Sequence, residues 1–192
     1  MIRRLAIDRI GATAAEFALV LPLLILFLLG MLDIGRAMWT WNRAEKATQM
    51  AVRYAVVTDM VPEDLEDHDF ALSDGVPGGS PVPTSEFDST TCDSTDCTGS
   101  WGYDSTAFGA ILQRAQFFLP ETEAADLEVR YDNVGLGFAG DPNGPDVAPL
   151  VTVRLTGVTF QPLTMMLFAG TVTLPDFKAA LTLEDGSGSV SN

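Results

Sequence analysis

The stretch RIGATAAEFALVLPLLILFLLGMLDIGR, residues 9–36, decides the architecture. From Phe17 to Leu32 it is unbroken apolar sequence plus Pro22 and Gly30. With residues 10–15 it reaches the roughly 20 residues that cross a bilayer as a helix. One crossing is expected. Glu16 stands at its leading edge, where an ionised carboxylate facing hydrocarbon is costly. Pro22 removes one backbone donor and predicts a bend or loosening that membrane helices tolerate. A cleaved secretory signal is the alternative, because Arg3, Arg4 and Arg9 form a basic leader before an apolar core. No small-x-small cleavage pattern follows Leu32, however, and the helical pattern runs on.

Beyond the apolar run, DIGRAMWTWNRAEKATQMAVRYAVV, residues 33–57, keeps a 3-4 spacing with Ala37, Trp41, Ala44, Thr48, Ala51 and Ala55 on one face. Two readings stay open for this seam of small residues. It packs an amphipathic helix on its own domain, or it lets neighbouring helices approach closely, as small residues do in membrane bundles. As one helix at 1.5 Å per residue, residues 12–57 would run about 70 Å, half in lipid and half in a head domain.

The net charge of −15 is unevenly spread. Up to Thr58 there are seven Lys or Arg against four acids, and from Asp59 onward four against twenty-two, so the first part is +3 and the rest −18. A surface that acidic repels phosphate, which argues against a nucleic-acid partner. At 192 residues the chain can hold one modest domain besides the hydrophobic segment. Its two cysteines, Cys92 and Cys97, lie close together in TTCDSTDCTG and predict a local disulfide in an oxidising compartment. A two-Cys metal site is the rival, with no His or further Cys nearby to complete it. Positive-inside counting is a near tie between Arg3, Arg4, Arg9 and Arg36, Arg43, Lys46. The cysteine pair and the acidic remainder favour a cytoplasmic N-terminus with the domain outside.

Residues 58–106, rich in Asp, Ser, Thr, Pro and Gly, read as an acidic loop region or weak hairpin carrying the Cys pair. Residues 107–185 read as an α+β outer domain. TAFGAILQRAQFFLP, residues 106–120, predicts a short helix ended by Pro120. DLEVRYD, LVTVRLTGVTF, TVTLPDF and AALTLED alternate as strands of a three- or four-stranded antiparallel sheet, with GLGFAGDPNGPD as a hairpin connection. The apolar stretch at residues 163–169 reads either as core under the sheet, the favoured reading, or as a membrane contact. Residues 186–192 read as a flexible tail. The fold class is α+β, a long N-terminal helix followed by a small antiparallel sheet with a short helix.

Catalytic chemistry finds little support. His68, the only histidine, sits among carboxylates in LEDHDF and reads as a solvated surface residue. No nucleophile elbow, phosphate loop or paired-His metal motif occurs. DGSGS, residues 185–189, spells an adhesion-type metal motif but stands outside the strand context that motif requires. The acids Glu63, Asp64, Glu66, Asp67, Asp69 and the set Asp141, Asn143, Asp146 lack the spacing of a known calcium loop. No metal, cofactor or small-molecule substrate is expected.

The basic leader, the GATAAEF junction and the apolar run together resemble the processing site of type IV pilin-like precursors. The likeness is closest to the TadE-like proteins of Tad (Flp) pilus systems, whose signature GATAAEFALVLPLLILFLLGMLDIGRAMWTWNRAEKATQMAVRYA is similar to nearly end to end. APLVTVRLTGVTFQPL and GTVTLPDFKAALTLED look like the family's closing β-region. The resemblance implies that residues 1–11 are a leader cut by a prepilin peptidase between Gly11 and Ala12, with Glu16 and Phe17 completing the processing site. Ala12 would then carry a free α-amine, and Glu16, one turn on, would be matched by the amine of a neighbouring subunit. A Glu16 that only snorkels to the headgroups is the plainer reading. The resemblance further implies a non-enzymatic, minor pilin-like subunit. It would sit single-pass in the inner membrane, with pilin-like subunits and pilus assembly proteins as partners. The alternative is a non-polymerising envelope protein whose acidic head binds a protein partner.

Overall fold

The computed structural model describes residues 9–165, 170–186 and 188. The chain divides into two compact units, Met1–Thr40 with Thr159–Thr173, and Trp41–Val158 with Leu174–Asn192.

A single helix, α1 (Arg9–Ala55), contributes its first part to one unit and its last turns to the other, with Pro22 inside it. It starts inside the expected leader, so the Gly11–Ala12 junction is helical; residues 1–8 lie outside the described part. The first unit holds the apolar half of this helix and a two-stranded antiparallel ladder, β4 (Thr159–Phe160) with β5 (Val172–Thr173), paired Thr159↔Thr173 and Phe160↔Val172.

In the second unit, α1 is followed by two one-turn helices, α2 (Glu63–Glu66) and α3 (Phe70–Ser73), then β1 (Ser89–Cys92) and α4 (Ser105–Gln116). A short 3-10 turn leads to β2 (Leu127–Asp132), β3 (Leu150–Leu155) and β6 (Phe177–Thr182). The sheet order is β1-β2-β3-β6 and every pairing is antiparallel. Helix α4 begins where the side chain of Asp104 accepts from the Thr106 and Ala107 N–H groups at 2.6 and 3.1 Å, which satisfies donors the first turn leaves open.

Strict alternation puts Leu127, Val129 and Tyr131 of β2 on the same buried face as Val151, Val153 and Leu155 of β3. That face joins Ala44, Ala47, Ala51 and Ala55 of α1 and Ile111 and Ala115 of α4 in one apolar cluster. Alanines suit this position because a side chain of one methyl lets the helix backbone come close to what it packs on.

Strand boundaries read from the sequence are corrected. LVTVRLTGVTF is not one strand, because β3 ends at Leu155 and Thr156 donates its N–H to the Asp126 carbonyl at 2.9 Å. Gly157 then turns the chain at φ 69°, where a Cβ would lie 2.8 Å from Asp126 Oδ1. TVTLPDF is divided likewise, Val172–Thr173 pairing in the small ladder and Phe177 opening β6. Of the two readings of the Ser/Thr-rich region, loop or weak hairpin, the second is met by an edge strand, β1, which pairs with β2 from Ser89↔Asp132 to Cys92↔Val129. Of the segment favoured as core, Met165 is 45% exposed and belongs with the apolar half of the helix; residues 166–169 lie outside the described part. Of the expected tail, Gly186 is buried and Gly188 both donates to the Asp59 carboxylate and accepts the Asp59 N–H.

Candidate functional site: the apolar helix and its anchors

The helix from Thr13 onward carries a window of mean hydropathy 2.6, long and apolar enough to cross a membrane, and only 6% of that window is buried within the chain. Phe17, Leu19, Leu23, Leu24, Phe27 and Ile34 are all largely exposed, so the apolar surface runs all round the helix instead of forming one stripe. A helix apolar on every side suits a surrounding hydrocarbon, since in water so much bare apolar surface is unfavourable.

The expected processing residues sit at its start. Gly11 is exposed, and a Cβ built there meets nothing within 4 Å, so no contact among the described residues requires a glycine at this position. Ala12 is helical in backbone. Glu16 is exposed and in no ion pair among the described residues, and Phe17 beside it is 64% exposed.

The small-residue seam resolves differently along its length. Ala37 is half-buried and Trp41 is partly exposed, its ring edge against Phe177 at 4.9 Å and its Nε1–H donating to Glu45 Oε1 at 2.8 Å. Ala44, Ala51 and Ala55 are fully buried inside the chain's own core. Of the two open readings, these three positions follow the first. They are covered at home and are not offered to a neighbouring helix.

Sequence reasoning missed Asp33. Its carboxylate is buried at the end of the apolar run and accepts from the Leu163 N–H at 2.6 Å, the Thr164 N–H at 2.9 Å and the Thr164 hydroxyl at 2.8 Å. Arg36, one turn on, lies 3.5 Å from it, donates to the Gln161 carbonyl at 3.4 Å and stands 5.3 Å over the Phe160 ring. The signal was present as an acid in a stretch whose nearest charges are Glu16 and Arg36. Its partners lie some 130 residues away, beyond the reach of local pattern.

In the second unit, Cys92 and Cys97 form a disulfide with Cα atoms 4.0 Å apart, as expected. His68 is not merely solvated: it is half-buried, with Nε2 2.6 Å from Asp74 Oδ2 and its ring edge-on to Phe70 and Trp101. A hollow of about 410 Å³ is lined by Glu66, Asp67, Asp69, Asp141 and Asp146 with His68. The deepest of these carboxylates is already used: Asp146 accepts the N–H groups of Phe70, Gly140 and Asp141 at 2.8, 2.8 and 2.9 Å. Asp69 caps Leu72 and Asp141 caps Asn143 in the same way. Among the described residues no group of three His, Cys, Asp or Glu is disposed to hold a metal ion.

No curated protein and no solved structure matches the chain. Residues 11–53, the apolar run together with most of the alanine seam, match the family model described as TadE-like protein, so the stretch on which the membrane reading rests is similar to TadE-like proteins.

Proposed function

We propose that this protein is a membrane-anchored, pilin-like subunit that serves assembly of a Tad-type pilus, working by association rather than turnover. The observation that carries this reading is the exposed, all-round apolar helix lying within a TadE-like segment. In this reading the helix crosses the inner membrane once with its N-terminus in the cytoplasm. The disulfide-bearing acidic domain stands on the far, oxidising side, an orientation supported by the Cys92–Cys97 bond. A prepilin peptidase cuts between Gly11 and Ala12, and the new α-amine of one subunit is matched by Glu16 of another.

The test is N-terminal sequencing of mature protein after co-expression with a prepilin peptidase. A start at Ala12 is expected, abolished by Gly11→Leu, which would crowd the protease cleft; mature chains that keep Met1 or Ile2 would sink the reading. A second reading, a non-polymerising envelope protein whose acidic head binds a protein partner, is favoured by one observation. Ala44, Ala51 and Ala55 are used up in the chain's own core and so unavailable to a neighbouring helix. Cleavage at Ala12 separates the two.

A further inference from the structure

In addition to the helix, we propose that residues 159–165 and 170–173 form a second lipid-contacting element, docked on the bilayer surface and held there by Asp33. The proposal rests on the membrane-spanning reading of α1. Its first support is composition: residues 155–175 contain no charged side chain, in a chain where 19% of residues are charged. The second is placement. Asp33 follows directly on the apolar run ending at Leu32, so whatever it holds lies at the depth where the helix leaves hydrocarbon. It holds the backbone of Leu163 and Thr164 by three hydrogen bonds. The third is exposure: Met165 and Val172 are 45% and 40% exposed, apolar, and grouped with the apolar half of the helix.

The chemistry fits an interface and not the bilayer centre. Irregular backbone needs hydrogen-bond partners that hydrocarbon does not supply, whereas the headgroup layer does. The Arg36 cation beside the segment and the 68% exposed Trp39 one turn on are residue types that settle at that layer. A carboxylate at the same depth would be costly if bare, and Asp33 is not bare: two N–H groups and a hydroxyl replace its water. The occupant is lipid and not a second copy, because bilayer necessarily surrounds a helix that spans it at the level Asp33 marks.

The experiment uses full-length protein in vesicles of phosphatidylethanolamine and phosphatidylglycerol, spin-labelled one site at a time at Met165→Cys, Val172→Cys, Leu24→Cys and Ser85→Cys. Collision with oxygen is compared with collision with a water-soluble nickel chelate. Met165 and Val172 labels should favour oxygen severalfold over the Ser85 label, as the Leu24 label does, though less deeply. A water-like ratio at either Met165 or Val172 with a lipid-like ratio at Leu24 overturns the docking. A water-like ratio at Leu24 overturns the membrane reading itself. Asp33→Ala should return the Met165 label toward the Ser85 value while Leu24 stays unchanged; a Met165 label that does not move overturns Asp33 as the anchor.

Discussion

Two carboxylates in the apolar helix differ in the partners their own chain gives them. Asp33 is met inside its own chain by Leu163 and Thr164, so its burial is compensated in the monomer. Glu16 is exposed and in no ion pair among the described residues, and the proposed partner for it is the α-amine of a neighbouring subunit. Glu16→Gln is expected to leave membrane content unchanged or raised, because a neutral amide enters hydrocarbon more readily than a carboxylate. Crosslinking between subunits through cysteines at Phe27 and Ile34, both exposed, should fall. Unchanged crosslinking would mean that Glu16 merely snorkels. Tyr131 is a third decisive residue: its buried hydroxyl accepts the Val61 N–H at 3.2 Å. Tyr131→Phe strands that donor and should lower stability by about 1–3 kcal/mol in chemical denaturation. Burial pushes the Tyr131 phenol above its ordinary 10.0, so its contribution is intact below pH 10 and is lost as pH rises past that value, a loss absent from the Phe variant.

At the scale of elements, β1 shows how a weak strand is secured. Its sequence, Ser-Thr-Thr-Cys, has only four residues, and one side of it pairs with β2. On the other side Thr91 accepts the Thr98 N–H at 2.8 Å, Thr90 donates its hydroxyl to the Thr98 carbonyl at 2.7 Å, and the disulfide closes the turn. An exposed strand edge invites pairing with other chains, and this closed loop covers it. Cys97→Ser should lower stability by about 2 kcal/mol by the loop-closure argument for so short a loop. Hydrogen exchange should rise in β1 while β2 and β3 keep their protection; uniform loss along the sheet would mean that the disulfide secures more than the edge.

Across the whole molecule, charge is the dominant feature. The −18 from Asp59 onward packs acids close enough to oppose one another. Glu66 reports this directly, since burial first and then Asp59 and Asp67 hold its carboxyl above the ordinary range. The melting temperature of the protein should therefore climb by a few degrees as salt is added until the screening length falls to about 8 Å. A melting temperature indifferent to salt would mean that the acids are already offset by the backbone N–H groups that Asp146, Asp69 and Asp141 accept.

Sequence by itself determined what repeats locally. The membrane-length helix, the α4 segment, strands β2 and β3 and the Cys pair were legible because hydrophobic periodicity and a spacing of five residues are local signals, although α4 ends at Gln116 and not at Pro120. The TadE-like segment was legible for the same reason, its signature being contiguous over residues 11–53. Tertiary structure alone decided the rest. A Ser/Thr-rich run became a strand because β2 offered it a partner, and the GVTF segment left β3 because a turn at Gly157 aimed it at β5. Ala44, Ala51 and Ala55 of the seam became core, and Asp33 acquired partners some 130 residues on. In each case the deciding energy is a contact between residues far apart in the chain, and no local pattern records which distant hydrogen-bond donor or apolar face will arrive.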